Sequence, residues 1–121
     1  METVEYDVRK KDWWDGTFQS LPEKTKRIVD DKVWNHIRLN PEDSEALKLD
    51  LKGLRSYRLK SGTRIIFAIC RECREMGFVK VNGCVDCKEI KDETIMLFVV
   101  GHHDVYNWFS RKRKNLLRRR C

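Results

Sequence analysis

Residues 51–67, Leu-Lys-Gly-Leu-Arg-Ser-Tyr-Arg-Leu-Lys-Ser-Gly-Thr-Arg-Ile-Ile-Phe, decide the fold. After Gly53, Tyr57 and Leu59 alternate with Arg58 and Lys60, the period of a half-buried strand. Ser61-Gly62 is a turn pair, and Arg64-Ile-Ile-Phe-Ala-Ile69 then runs apolar without interruption. A second such run, Thr94-Ile-Met-Leu-Phe-Val-Val100, follows downstream. Both runs are short enough for strands and apolar on both faces, as central strands are.

Working outward, Leu47, Leu49 and Leu51 alternate with Lys48, Asp50 and Lys52, which predicts a strand ahead of Gly53. Val4, Tyr6 and Val8 alternate in the same way at the N-terminus. Trp13, Trp14, Phe18 and Leu21 allow a short helix, and Val29, Val33 and Ile37, with Ile28 and Trp34 beside them, form one apolar helical face. Pro22 suits the first turn of that helix and Asn40-Pro41 stops it, so a main helix is expected over 21–39. Val105, Trp108, Phe109 and Leu116 recur at helical intervals, giving a closing helix. The fold class is α+β: a small antiparallel sheet packed on two N-terminal helices, with a C-terminal helix. With 121 residues, no repeat and no linker, one domain spans 1–121.

No apolar run approaches the roughly 20 residues of a membrane span, and the acidic, alternating start does not resemble a secretory signal. The chain reads as cytoplasmic. Its net charge of +7 is localised: residues 111–120, Arg-Lys-Arg-Lys-Asn-Leu-Leu-Arg-Arg-Arg, hold seven Lys and Arg and no acid, leaving 19 basic residues against 19 acidic ones. The basic tail at 111–121 suits a polyanion, since each neutralised phosphate releases counterions; a solvated terminal helix is the simpler reading of a charge run alone.

Four of the five cysteines form two C-x-x-C pairs, Cys70/Cys73 and Cys84/Cys87, separated by ten residues. In a cytosolic-looking chain this spacing favours tetrahedral zinc over disulfides or bare thiols. The four-cysteine loop at 70–87 is expected as a zinc-binding hairpin loop, with Gly77, Asn82 and Gly83 permitting its turns. Four protein ligands leave no open position, so the Zn2+ is structural and no catalytic metal is expected. Cys121 lies outside the pattern.

The stretch 51–67 resembles the RelE/ParE toxin superfamily, whose members share an L-x-G, an Arg/Lys-rich strand, a turn and an R-[IVL]-[IV]-[FY] strand. Val100-Gly-His-His-Asp-Val-Tyr106 looks like the family's closing V-G-H-R-x-x-V-Y element, and Leu39-Asn-Pro41 falls where the family ends a helix. The likeness covers the chain except the cysteine loop and the basic tail, which look like additions.

The resemblance implies the toxin of a toxin–antitoxin pair, with a cognate antitoxin protein as partner. Its RelE, YoeB and HigB branches cleave mRNA on the ribosome, whereas the ParE branch poisons DNA gyrase. The leading expectation is a ribosome-dependent mRNA endonuclease that yields a 2′,3′-cyclic phosphate. A non-enzymatic gyrase inhibitor and a zinc-stapled RNA-binding module without catalysis stand as alternatives.

Such cleavage needs a proton acceptor, a proton donor and cations for the developing charge. Carried over by position, Arg64 matches the arginine on the scissile phosphate and Tyr106 the tyrosine that orients substrate. His102 and His103 stand at the strand end where the family keeps its active-site groups, and histidine suits proton transfer near neutral pH. His103 replaces an arginine found in many members, exchanging a fixed charge for a titratable group. Glu45, eight residues before Gly53, has the offset of the general base in the YoeB branch. Lys48, Lys52, Arg55, Arg58 and Lys60 fall on the strands that form the family's RNA groove.

Each has a plainer reading. Arg64 suits a strand residue paired with an acid, and either histidine a hydrogen-bonded strand end. Glu45 suits an exposed loop, and the basic residues an ordinary solvated face. His36, on the main helix, is assigned to structure.

Overall fold

The computed structural model describes residues 5–48, 51–77 and 90–118, and for His103, Tyr106 and 113–118 the backbone alone. Its elements run β1 (Asp7–Lys10), α1 (Asp12–Gln19), α2 (Glu23–Lys32), a π-helical turn (Val33–Ile37), a 3-10 turn (Pro41–Asp43) and β2 (Glu45–Ala46). There follow β3 (Arg55–Arg58), β4 (Arg64–Ile69), α3 (Cys70–Met76), β5 (Thr94–Gly101) and α4 (His103–Arg118).

The five strands are ordered β1-β5-β4-β3-β2. β4 and β5 occupy the interior of the sheet, where their uninterrupted apolar sequences belong, and all eight residues of β5 are buried. The sheet is not wholly antiparallel as expected: β1 runs parallel to β5, Asp7 opposite Thr94 and Lys10 opposite Leu97. Beyond Lys10 the chain continues along the same edge. The Lys11 N–H donates to the Leu97 carbonyl at 2.9 Å, and the Val100 N–H donates to Thr17 Oγ1 on α1 at 3.1 Å. A helix side chain thus satisfies a strand donor that would otherwise stand on an open edge.

The two faces of the sheet carry separate apolar clusters. On one, Ile65, Phe67, Ile69, Leu97 and Val100 pack beneath Trp14, Val29, Val33 and Ile37 of the N-terminal helices. The Val29/Val33/Ile37 face lies inward as its spacing predicts, all three at 2% exposure or less. The main helix starts at Glu23, after Pro22, and its last turn is π-helical, closed by the Arg38 N–H on the Val33 carbonyl. Trp34 in that turn stays half exposed beneath the Arg38 guanidinium, which lies 5.7 Å from its ring.

On the other face, Ile66, Ala68, Met96, Phe98 and Val99 pack against Phe109 of α4 and against Leu51 and Leu54. Two layers, not one, therefore cover the sheet. A fully buried Phe or Ile contributes about 1.5–3 kcal/mol relative to exposure, so rows on both faces hold β4 and β5 rigidly.

Two further expectations are corrected. The strand expected from Leu47 to Lys52 is only β2, two residues long and ahead of it; Leu49 and Asp50 lie outside the described residues. The Leu51 N–H donates to the Lys48 carbonyl and the Leu54 N–H to the Leu51 carbonyl, folding the chain into turns that bury Leu51 and Leu54 together. The expected hairpin loop opens as a helix: Cys70 and Cys73 sit on α3, both buried, immediately after β4. Cys84 and Cys87 lie outside the described residues.

Candidate functional site

At one end of the sheet three strands bring chemistry together. The turn between β3 and β4 is closed by the Leu59 N–H on the Thr63 carbonyl at 2.8 Å and the Gly62 N–H on the Leu59 carbonyl at 3.0 Å. Gly62 takes φ +95°, which residues with a Cβ rarely adopt. This turn sets Arg58 directly opposite Arg64, and Arg64 in turn lies opposite Gly101 at the end of β5. Like charges directly opposed across strands are destabilising. Among the described residues Arg58 is exposed and has no ion-pair partner.

His102 follows Gly101 and is exposed; its Nε2 lies 3.4 Å from the hydroxyl of fully buried Thr63. That contact is long, and its direction follows the imidazole tautomer. Ser61 Oγ donates to the same Thr63 hydroxyl at 3.2 Å, joining the turn to the strand end. α4 begins at His103, with Tyr106 one turn on. Its first turn rests on Gly101: a Cβ there would lie 2.8 Å from Val105 Cγ2. The absence of a side chain at 101 therefore fixes how closely the helix bearing His103 and Tyr106 approaches the strand.

Glu45 pairs with Ser56 on β2, so it shares a face with Arg58 two residues along β3, about 7 Å away along the strand. β2 and β5 are three strand spacings apart, about 14 Å at the backbone. Glu45 and His102 thus stand on the two sides of the strands that carry the arginine pair instead of touching. Lys48 and Lys52 are exposed on the turns after β2, and Lys60 is exposed in the β3–β4 turn.

Arg55 has a different place. Its Nε and Nη2 donate to the two Glu72 carboxylate oxygens at 2.9 and 2.7 Å, and its Nη1 donates to the Ser44 and Glu42 carbonyls at 2.7 and 3.0 Å. The Glu72 hydrogen bond holds the guanidinium further above its ordinary range. With its donors committed inside the fold, Arg55 is a clamp between α3 and the approach to β2, not a member of an RNA-facing row. Arg71 pairs with Glu42 beside it, and Arg74 with Asp92, tying α3 down on both sides. These partners, and the contact of Thr63 with His102, join residues up to 39 apart, and no local pattern announces them. His36 is exposed on the π-helical turn, its ring centroid 6.5 Å from that of Tyr57.

Cys70 and Cys73 lie three apart on α3, which puts both on one helix face. Two buried thiols so disposed fit half of a tetrahedral thiolate site.

Solved structures of RelE toxins, free and in toxin–antitoxin complexes, superimpose on this chain. The RelBE2 toxin–antitoxin complex of Mycobacterium tuberculosis matches with a TM-score of 0.61 at 18% identity, over 84% of this chain and 95% of that one. A mutant of the E. coli toxin RelE in the free state matches at 0.59 and 12% identity, over 93% and 98%. The same mutant toxin in complex with an antitoxin RelBc peptide matches at 0.54 and 13%, over 86% and 93%. No family model matches the chain, and no curated protein matches it in sequence. The fold is that of the RelE toxins; the site is this chain's own.

Proposed function

We propose that this chain is the toxin of a toxin–antitoxin pair and cleaves mRNA on the ribosome, in the cytoplasm. The observation that carries the reading is the Arg58–Arg64 pair, two opposed cations at the strand end where His102 stands, with Glu45 across the sheet. A phosphate set between the two arginines is attracted by both charges. The 2′-oxygen attacks the adjacent phosphorus as its proton passes to a base, the role we assign to Glu45. The P–O5′ bond breaks, and the leaving oxygen takes a proton from His102 or His103. The products are a 2′,3′-cyclic phosphate and a 5′-hydroxyl, with Arg58 and Arg64 facing the charge that develops on phosphorus. The cognate antitoxin is proposed by analogy with the RelBE complexes of the same fold.

We also propose Zn2+ on Cys70, Cys73, Cys84 and Cys87 as a structural ion, on the donor chemistry and the shared helix face of the first pair.

The test is expression in cells with mapping of mRNA 5′ ends and an assay of DNA supercoiling. Codon-phased cuts are expected. Arg64→Ala should reduce cleavage about 10²–10³-fold, and loss of the proton donor about 10²–10⁴-fold, by His102→Ala or His103→Ala. Glu45→Gln tests the base at nearly constant shape, and Tyr106→Phe separates ring orientation from proton transfer. Full cleavage by the double histidine variant and by Glu45→Gln overturns the acid–base assignment; blocked supercoiling without mRNA cuts overturns the nuclease.

A further inference from the structure

A groove of about 750 Å³ runs between α2 and the β3–β4 turn, on the helix-covered side of the sheet. Its α2 rim carries Lys24 and Lys32, and its opposite rim carries Arg58 and Lys60. Among the described residues no acidic side chain lines it, and none of the four cations has a hydrogen-bond or ion-pair partner. Ile28 lies midway between the two lysines on α2 and is 40% exposed, an apolar side chain held open to water in the groove. Tyr57 forms part of the wall, partly buried against the core.

Lys24 and Lys32 are eight residues apart, about 12 Å along the helix, or slightly more than two turns. A helix laid alongside α2 presents apolar side chains at i, i+3 and i+4 over that length, with charged side chains flanking them. We propose that this groove seats an acidic amphipathic helix of a protein partner: apolar residues on Ile28 and Tyr57, carboxylates toward Lys24 and Lys32 on one rim and Lys60 on the other. Single-stranded nucleic acid is the less suitable occupant. Binding of that kind uses aromatic platforms for successive bases. Among the described residues Tyr57 is the sole ring in the lining, partly buried, while Ile28 offers a phosphate nothing. Arg58 at the groove's edge belongs also to the strand end, but Lys24, Ile28 and Lys32 lie on α2 and take no part in the proposed chemistry, so the inference stands whether or not the chain cuts RNA.

The experiment is fluorescence anisotropy on the full chain with three labelled probes. One is a synthetic peptide of about 16 residues, long enough to cover the groove as a helix, with a leucine stripe flanked by glutamates. Another is the same peptide with lysines for glutamates, and the third is a short single-stranded RNA. The Glu peptide should bind and weaken with salt, and the Lys peptide should not bind. Ile28→Asp, and separately Lys24→Glu with Lys32→Glu, should each weaken the Glu peptide about tenfold or more, since each sets like charge or a desolvated carboxylate against it. Thermal melts confirm that these surface variants fold, and amide shift mapping reads contact on α2 and β3 directly. mRNA cleavage, measured in parallel, should be unaltered by the α2 variants. Absent cleavage by the parent chain would end the nuclease reading and leave the groove result intact. Glu-peptide binding that is absent, or indifferent to these variants, overturns the proposal. RNA binding that falls with them while peptide binding does not assigns the groove to nucleic acid instead.

Discussion

Replacing Arg55 by alanine separates a clamp from an RNA contact. The side chain makes four hydrogen bonds, two to the Glu72 carboxylate and two to the carbonyls of Glu42 and Ser44, and the two ion-pair side chains are only 16% and 17% exposed. A hydrogen bond to a charged group contributes about 1.5–3 kcal/mol, but bonds sharing one guanidinium do not add. Stranding one partner of a fully buried pair costs about 3–5 kcal/mol. Residual solvent at Glu72 lowers that figure, so Arg55→Ala should cost about 2–4 kcal/mol. At roughly 4 °C per kcal/mol for a domain of this size, the melting temperature should fall by about 8–16 °C. Glu72→Ala should cost somewhat less, because Arg55 keeps its two carbonyl acceptors. The double variant should show a coupling of about 1–3 kcal/mol. Urea denaturation of the four proteins at constant pH measures all three terms. A melting temperature unchanged in Arg55→Ala, together with weaker RNA binding, would show that Arg55 serves RNA and that the clamp contributes nothing.

Gly101→Ala places a Cβ against Val105 and should cost about 1–3 kcal/mol, the usual range for overpacking, with cleavage falling further than stability because α4 must lift. Elemental analysis of reduced protein should find one zinc per chain, lost in Cys70→Ser and Cys84→Ser alike. Zinc in zinc-finger peptides binds with about 10–16 kcal/mol of apparent free energy, so chelation should loosen α3 while β4 and β5 keep their amide protection; no bound metal in reduced protein refutes the site. Deleting 111–121 removes Lys112 from its seat 5.2 and 5.1 Å from the Trp13 and Trp108 rings. It should leave the Phe109 anchor and the fold in place while lowering the salt slope of RNA binding by about 0.7–0.9 per lost phosphate contact; an unchanged slope returns the tail to a solvated helix end.

β4 and β5 were legible because a short apolar run bounded by turn residues leaves few choices, and both lie inside the sheet at their expected bounds to within a residue. The segment at 47–54 was not, because it satisfies two periods at once. Leu47, Leu49 and Leu51 read as alternation, but Leu47, Leu51 and Leu54 also stand at i, i+4 and i+7, and the last three pack into one cluster. Turn bonds at Lys48–Leu51 and Leu51–Leu54 decided between them. The parallel pairing of β1 was invisible for another reason. Alternation marks which side chains face the core, but not which strand lies alongside or in which direction. Arg55 failed by the same limit, since its outward alternation is real and its captor is 17 residues away on α3.

The cationic strand end owes its rigidity to the same rows that made the strands readable. Ile65 and Ile66 follow Arg64 into opposite cores, and Val99 and Val100 precede Gly101 on β5, so the backbone of β4 at Arg64 and of β5 at Gly101 is held from both faces. The Gly62 turn fixes the register that opposes them, and Gly101 fixes the height of α4. A fold stabilised by roughly 5–15 kcal/mol in all tolerates an opposed cation pair only where its cost is small against such support. That support fixes the backbone positions from which the two guanidinium groups extend, and an electrostatic site gains from charges set close to where the anion arrives. Arg64 stands on a strand braced from both faces, whereas Glu45, on a two-residue edge strand, lacks comparable bracing. If the chemistry proceeds as proposed, substitutions at Arg64 should act on the rate of the bound complex, and Glu45→Gln should be the variant most easily compensated by raising pH. A Glu45→Gln deficit that is independent of pH would place the base elsewhere in the site.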